Sequence, residues 1–424
     1  MFPFPAACVG RLLVFLVFAG LAGVPAATAQ SLSLADAEDL ALARDAGLEE
    51  IQARQEALLD SAVAESQLPD PELLFGAANV PVDSFDLDRE PMTQVQVGLR
   101  QRFPAGDTLA LKRSRLEVLA EATTAVEAGR RREVLLSLRH AWIEAAWRAE
   151  AMELVAAERA WYRELEGAVV SAYASGRRRQ DELIRIQLEI DGLEEEIARL
   201  RETRAPWEAA VIRWLGEDAS RAALDRLPEL PPLPPGESAS VRLESHPVLA
   251  ERAEAARAEA IGVDLAREAY KPSWMLDVRY GLRDSLDEAG RDRSDMLSAM
   301  LSFELPIFTG DRQDRRVSAA RASERAARRQ LEDRRRMLAA ELAAARESHQ
   351  RLGDRIVLFD SQILPSAADY VEATLLAYQN DLAPFDELVR AEKTLLDARL
   401  DALRLKADRL SAHAKLAYLV GDSP

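Results

Sequence analysis

No proline stands between Pro104 and Pro206, and residues 107–172 read as one unbroken helix. At about 1.5 Å per residue that helix is about 100 Å long. No compact domain holds a rod of that length, so it must lie beside others like it. Two apolar seams share it. Leu135, Leu138, Trp142, Ala145, Ala149 and Met152 form one, and Ile143, Trp147, Leu154, Trp161 and Leu165 form a second beside it. A rod with two seams has a neighbour on each side, as in a wall, whereas a two-stranded coil needs only one seam.

The rod occurs twice. "AYASGRRRQDELIR" at 172–185 is answered by "AYQNDLAPFDELVR" at 377–390, every match displaced by 205 positions. Gly216 answers Gly421 at the same displacement, Arg130–Arg132 answers Arg334–Arg336 at 204, and Pro71 answers Pro272 at 201. Phe103-Pro104 similarly answers Leu305-Pro306. A period this long, drifting by small gaps, is that of a duplicated half-chain rather than a solenoid. The expected units are a first repeat over 30–226, a proline-rich linker "LPELPPLPPGES" over 227–238, and a second repeat over 239–424.

Each unit has the same order. A helix (33–67; 245–270) is followed by two strands, a long helix (107–172; 311–378), a tip, and a helix of about 34 residues (181–215; 386–420). The doubled phrase therefore marks the hairpin tip. Ser33, with Asp36 three residues on, reads as the opening N-cap, and Asp107 and Asp311 are expected to cap the long helices. Leu338, Leu342, Ala345, His349, Leu352, Ile356, Phe359 and Ile363 make a heptad seam in the second long helix. Pro365 should bend that helix, because its counterpart, residue 160, is alanine. The two shorter helices of a unit, stacked end to end, would match the long one in length.

The strand segments alternate. In "TQVQVGLRQRF", Val95, Val97, Leu99 and Phe103 fall on one face, and Gln94, Gln96, Arg100 and Arg102 on the other. At about 10 to 12 residues such segments have the length of tilted membrane strands. Only four are present, and a sheet in lipid cannot keep open edges. Single-chain barrels begin at eight strands, so in a membrane these four imply a barrel shared between chains. The competing reading is a soluble β-subdomain capping a coiled coil.

The first 29 residues carry Arg11, an apolar run over 12–24 and an Ala27-Thr-Ala29 cleavage pattern, the marks of an export signal. Cys8, the only cysteine, precedes the apolar run, so no lipoprotein acceptor is expected. Removing the signal takes away one positive charge, and the net charge goes from −17 to −18. Such acidity argues against nucleic acid as a partner. Charged residues at 30% with only 6% aromatic residues fit long helices with solvated faces. The Arg triplets read as such faces. His140, His246, His349 and His413 are scattered without ligand spacing, and neither a phosphate loop nor a nucleophile elbow is present. Neither enzyme activity, a cofactor nor a metal is expected.

The chain resembles the TolC-like outer-membrane efflux protein family. "LSLADAEDLALA" looks like the family's opening helix, and "ESHPVLAERAEAARAEAIGVDLAREAYKPSWMLDVRYG" its second-half opening. "ELPIFTGDRQ" looks like its strand-to-helix turn, and "ILPSAADYVEATLLAYQNDLAPFDELV" the passage over its second tip. The fold class implied is mainly α with a small β part. Duplicated helical hairpins would form a trimeric periplasmic α-barrel, and four strands per chain a twelve-stranded outer-membrane β-barrel. The function implied is the exit duct of a tripartite efflux system in the outer membrane. The implied partners are two further copies, outer-membrane lipid, a periplasmic adaptor and an inner-membrane transporter of the RND type. The segment over 68–107 looks most like the branch paired with heavy-metal exporters. A type I protein-secretion channel and a periplasmic coiled-coil scaffold without a pore are the alternatives.

Carried onto this chain, the resemblance places a periplasmic gate at Tyr378, Asp381, Asp386, Glu387 and Arg390. Adaptor contacts fall at Tyr173, Gly176, Asp181 and Glu182. Three departures stand out. Asp45-Ala46-Gly47 replaces a frequent Asn-Pro, Asn380-Asp381 stands where glycine is usual, and Arg390 stands where some members carry a second gate acid.

Overall fold

Residues 31–176, 179–233 and 242–421 are described by the structure, a computed structural model. The export signal expected over 1–29 and residues 234–238 of the expected linker lie outside the described residues. So do Arg177 and Arg178 of the first tip.

The elements in chain order are helices α1 (Leu34–Ala43) and α2 (Ala46–Glu65), then strands β1 (Glu72–Ala78) and β2 (Gln94–Phe103). Helices α3 (Thr108–Ala174) and α4 (Gln180–Leu215) complete the first half. The second half runs α5 (Pro247–Glu268), β3 (Ser273–Leu282), β4 (Met296–Glu304), α6 (Gln313–Leu358), α7 (Leu364–Gln379) and α8 (Phe385–Val420). Helix α3 is a single rod of 67 residues.

Both seams of α3 are occupied. Val134, Leu138 and Trp142 pack against Val211 and Leu215 of α4, with Leu34 and Ala37 of α1 closing the cluster. Farther along, Ala151 and Val155 sit between Ile197 and Leu200 of α4 and Leu396 and Leu403 of α8. Helix α8 meets α6 in turn, where Leu338 and Leu342 pack on Leu416 and Leu419. Nearer the sheet, Gln55 of α2 donates to the Ala120 carbonyl of α3 (3.3 Å), and Arg115 of α3 pairs with Glu259 of α5 (2.9 Å). The described helices thus make a wall one helix thick. Its rows are α2 above α4, then α3, then α5 above α8, then α6 running into α7. Two short helices per half continue each other beside a long one, as their lengths required.

The four strands form one antiparallel sheet in the order β1-β2-β3-β4. The pairing of β2 with β3 joins the two halves of the chain, with Val97 opposite Tyr280 and Phe103 opposite Trp274. Among the described residues, β1 and β4 each pair on one side only. No described helix is long and apolar enough to cross a membrane.

Several expectations are corrected. The opening helix over 33–67 is two helices, because the Asp45 side chain accepts from the Leu48 amide (2.9 Å) and starts α2 afresh. Ser33 caps α1 as expected, in a reciprocal box with Asp36. Asp107 precedes α3 without a side-chain capping bond; its amide donates to Glu268 (2.7 Å) and its carboxylate meets Lys271 (3.3 Å). Residue 312, not Asp311, is the N-cap of α6. β1 has seven residues, shorter than the expected span. The second long helix is interrupted ahead of Pro365 by a π-helical turn, Phe359–Ile363. Proline lacks an amide hydrogen and clashes with the carbonyl four residues back, and the widened turn makes room for it.

The first Arg triplet is not wholly solvated. Arg130 binds Asp45 through two nitrogens (2.9 and 2.7 Å), and Arg132 donates to the Tyr418 carbonyl (3.2 Å).

Candidate functional site: the inverted sheet and the hairpin tips

Most apolar side chains of the sheet share one exposed face, and its charges lie on the other with Leu74, Met275 and Met300. Leu73 and Phe75 of β1, Val95, Val97 and Leu99 of β2, Leu276, Val278, Tyr280 and Leu282 of β3, and Leu297, Leu301 and Phe303 of β4 are all more than a third exposed, Phe75 at 76%. The register sets these residues side by side: Phe75 opposite Val97, Val97 opposite Tyr280, Tyr280 opposite Leu297. The opposite face holds Asp277, only 3% exposed, bound by Arg100 (3.0 Å) and Arg279 (2.8 Å). Arg100 also reaches Glu72 at 3.3 Å.

Gly98 makes this face possible. A Cβ there would come within 2.7 Å of the Arg279 side chain and 2.9 Å of the Val278 carbonyl, so only glycine lets Arg279 lie across β2. At the helix end of the sheet, Phe103 stacks on Trp274 with ring centroids 3.7 Å apart, and Phe303 is opposite Trp274. Apolar on one face, charged on the other and edged by aromatics at the helix end is a pattern that suits lipid on one side and water on the other.

At the other end of the wall lie the tips. Tyr378, Phe385, Leu388 and Val389 share a buried cluster with Tyr162 and Val169 of α3 and Ile186 and Ile190 of α4, which ties the two tips together. The Tyr378 hydroxyl donates to Glu182 at 3.2 Å. The two tyrosines of the doubled phrase therefore part company: Tyr378 is 5% exposed, Tyr173 43%. Nothing in either copy of the phrase distinguishes them, because Tyr378 finds its acceptor on the other hairpin.

The backbone of the two tips is nevertheless alike. Gly176 has φ +72° and Asp381 φ +59°, so aspartate adopts at the second tip the left-handed conformation that glycine supplies at the first. Asp181 pairs with Arg179 at 2.9 Å. Asp386 and Arg390 are exposed and Glu387 half-buried. Among the described residues, the Glu387 and Arg390 side chains form no hydrogen bond or ion pair within one chain, although the Glu387 amide donates to the Pro384 carbonyl (3.1 Å) and the Arg390 carbonyl accepts from Thr394 (2.8 Å).

The histidines have structural settings. Burial holds His246 neutral, down to about 4, and its Nδ1 accepts the Val248 amide hydrogen (3.3 Å) at the start of α5. His349 and His413, far apart in sequence, face each other across α6 and α8 with ring centroids 5.7 Å apart. Among the buried acids that sequence reasoning missed, Glu158 on α3 and Glu392 on α8 are held by no ion pair among the described residues. The available signal was that the second seam of α3 steps from Leu154 to Trp161 across Glu158.

Residues 239–422 match the family model described as outer membrane efflux protein. The chain has the outer membrane efflux protein fold. That fold is the one expected from the sequence. The outer membrane protein VceC from Vibrio cholerae superimposes with a TM-score of 0.76 at 20% identity, covering 92% of this chain and 96% of that one. CusC, whose structures concern folding and transmembrane channel formation, gives 0.76 at 17% identity with 92% of each chain covered. The open-state outer membrane channel MtrE from Neisseria gonorrhoeae gives 0.74 at 18% identity, covering 93% and 92%. No curated protein sequence matches the chain. In the efflux-protein fold, then, the inverted sheet and the tips stand at opposite ends of the helical wall.

Proposed function

We propose that three copies of this chain form the outer-membrane exit duct of a tripartite efflux system. The observation that carries the reading is the inverted sheet, whose outer strands β1 and β4 each pair, among the described residues, on one side only. A face of Leu, Val and Phe turned outward is unfavourable in water and favourable in lipid, but in lipid each unpaired edge group costs several kcal/mol. Further copies, added edge to edge, remove both edges, and three sets of four strands make a twelve-stranded barrel. Ten residues at about 3.3 Å each, tilted by about 40°, cover about 25 Å of bilayer. The helical wall then continues the duct into the periplasm.

The tips are the surface for a periplasmic adaptor, through Tyr173, Gly176, Asp181 and Glu182, with an RND-type transporter as the source of cargo. The likeness of residues 68–107 to partners of heavy-metal exporters makes metal cations the first cargo to try. Glu387 and Arg390, unpaired within one chain, pair between copies and hold the aperture shut, with Tyr378, Asp381 and Asp386 shaping it.

Mass in detergent should correspond to three chains, and the protein should conduct ions in a planar bilayer. Glu387→Ala or Arg390→Ala should each raise conductance, and the double change little more, because one interaction is lost each time. A monodisperse monomer that conducts would overturn the assembly. A trimer that conducts nothing would overturn the duct.

A further inference from the structure

Between the tips and the middle of the wall, α3 carries a carboxylate with nothing to hold it. Glu158 is 7% exposed and its Oε1 has no hydrogen-bond partner. It lies about four turns before the end of α3, where it lines a groove of about 580 Å³ between α4 and α8. Tyr162, one turn farther on, lines the same groove and is buried with it.

The charges facing Glu158 do not compensate it. Helix α8 brings Glu392, also buried, with Lys393, Asp397, Arg399 and Asp401. Helix α4 brings Glu189, Glu196 and Arg199. Arg199 is committed to Glu196 on its own helix, and Arg185 to Glu189 at 3.0 Å. Among the described residues no ion pair reaches Glu158 or Glu392, and the charge of Arg399 acts on both without touching either. Burial, with the neighbouring Glu392 second, pushes the Glu158 carboxyl up to about 7; burial pushes Glu392 up as well.

An ionised carboxylate with one oxygen buried and unpartnered is costly, and a bound proton removes that cost. We propose that Glu158 is a proton-binding site that governs how tightly α8 packs on α3 above the tips. When the helices separate and water reaches it, the carboxyl ionises near its ordinary value of about 4.5. Between that value and about 7 the packed form binds a proton that the loosened form does not. Packing is therefore strongest on the acid side, weakens as pH rises through that window, and changes no further above it. If the chain is the duct described above, acid in the periplasm holds its tips together and neutral or alkaline pH frees them.

The test uses the full chain in detergent, with amide exchange over residues 385–400 corrected for the intrinsic effect of pH. Wild-type protection should fall roughly tenfold or more between about pH 5.5 and about pH 8.5. Glu158→Gln, which fixes the neutral shape, should lose most of the pH dependence and keep only the part that buried Glu392 contributes. Glu392→Gln removes the like charge and should move the midpoint down without abolishing the change. A wild-type profile indifferent to pH, or a Glu158→Gln profile that follows the wild type, overturns the proposal. Should Glu158→Gln not assemble, an unmoved midpoint in Glu392→Gln does so instead. Exchange is read on the helices, not on the pore. A protein that conducts nothing yet keeps a Glu158-dependent profile supports the proton site and counts against the duct.

Discussion

Asp45 accepts the Leu48 amide hydrogen and two hydrogens from Arg130, so one carboxylate both starts α2 and fastens it to α3. The Arg130 guanidinium holds that carboxyl below the usual aspartate range. Asp45→Ala removes the cap and leaves Arg130 without its partner, and the loss should be about 2–4 kcal/mol in chemical unfolding at neutral pH. Because the folded-state value is depressed, the stabilisation is complete above the ordinary value of about 3.8 and disappears as pH falls through the depressed one. Melting temperatures of the wild type and of Asp45→Ala should therefore differ by a constant amount from neutral pH down to that range and converge below it. A gap that closes already near neutrality would assign the stabilisation elsewhere. The same local reading had presented Asp45-Ala46-Gly47 only as a departure from Asn-Pro. What it could not see was Arg130, 85 residues away.

The rods were legible because helical periodicity is local. The seams of α3, the capping box at Ser33 and the tip phrase all depend on residues within a few turns of one another, and the structure has each of them. The π-turn ahead of Pro365 was half legible: proline announced a disturbance, but not that the helix would continue through it by widening over Phe359–Ile363. Pro365→Ala should let this turn regain ordinary helical bonding, slowing amide exchange over 359–366 by roughly tenfold or more. Unchanged exchange would mean that packing against α8, not proline, imposes the wide turn. Least legible was the asymmetry of the tips. Tyr378 reaches Glu182 across 196 positions, and a duplicated phrase contains no hint of which copy will be covered. Glu158 was missed for a related reason. A charged residue on a long helix reads as solvated until the neighbours on both sides are known.

For the whole molecule, the deciding property is which face of the sheet is turned outward in the proposed duct. Alternation along β2 separated Val95, Val97 and Leu99 from Gln96 and Arg100, but alternation is the same whether the apolar side faces a core or lipid. Val97 is exposed and Asp277 buried, which is the arrangement the proposed duct needs. Arginine at Val97 should then cost about 2–4 kcal/mol in urea unfolding from lipid vesicles. Arginine at Gln96, one residue along and facing inward, should cost far less. Equal costs at the two positions would mean that the sheet is not in a bilayer.

The unpaired edges of β1 and β4 also have a genetic consequence. If every barrel needs three sound chains, a chain whose β4 edge cannot pair does not simply fail alone; it occupies a place between two good copies and spoils them. With equal amounts of normal and defective chains mixing freely, only about one barrel in eight contains three normal ones. An edge lesion of this kind is therefore dominant: a cell carrying both forms keeps only about an eighth of its sound barrels.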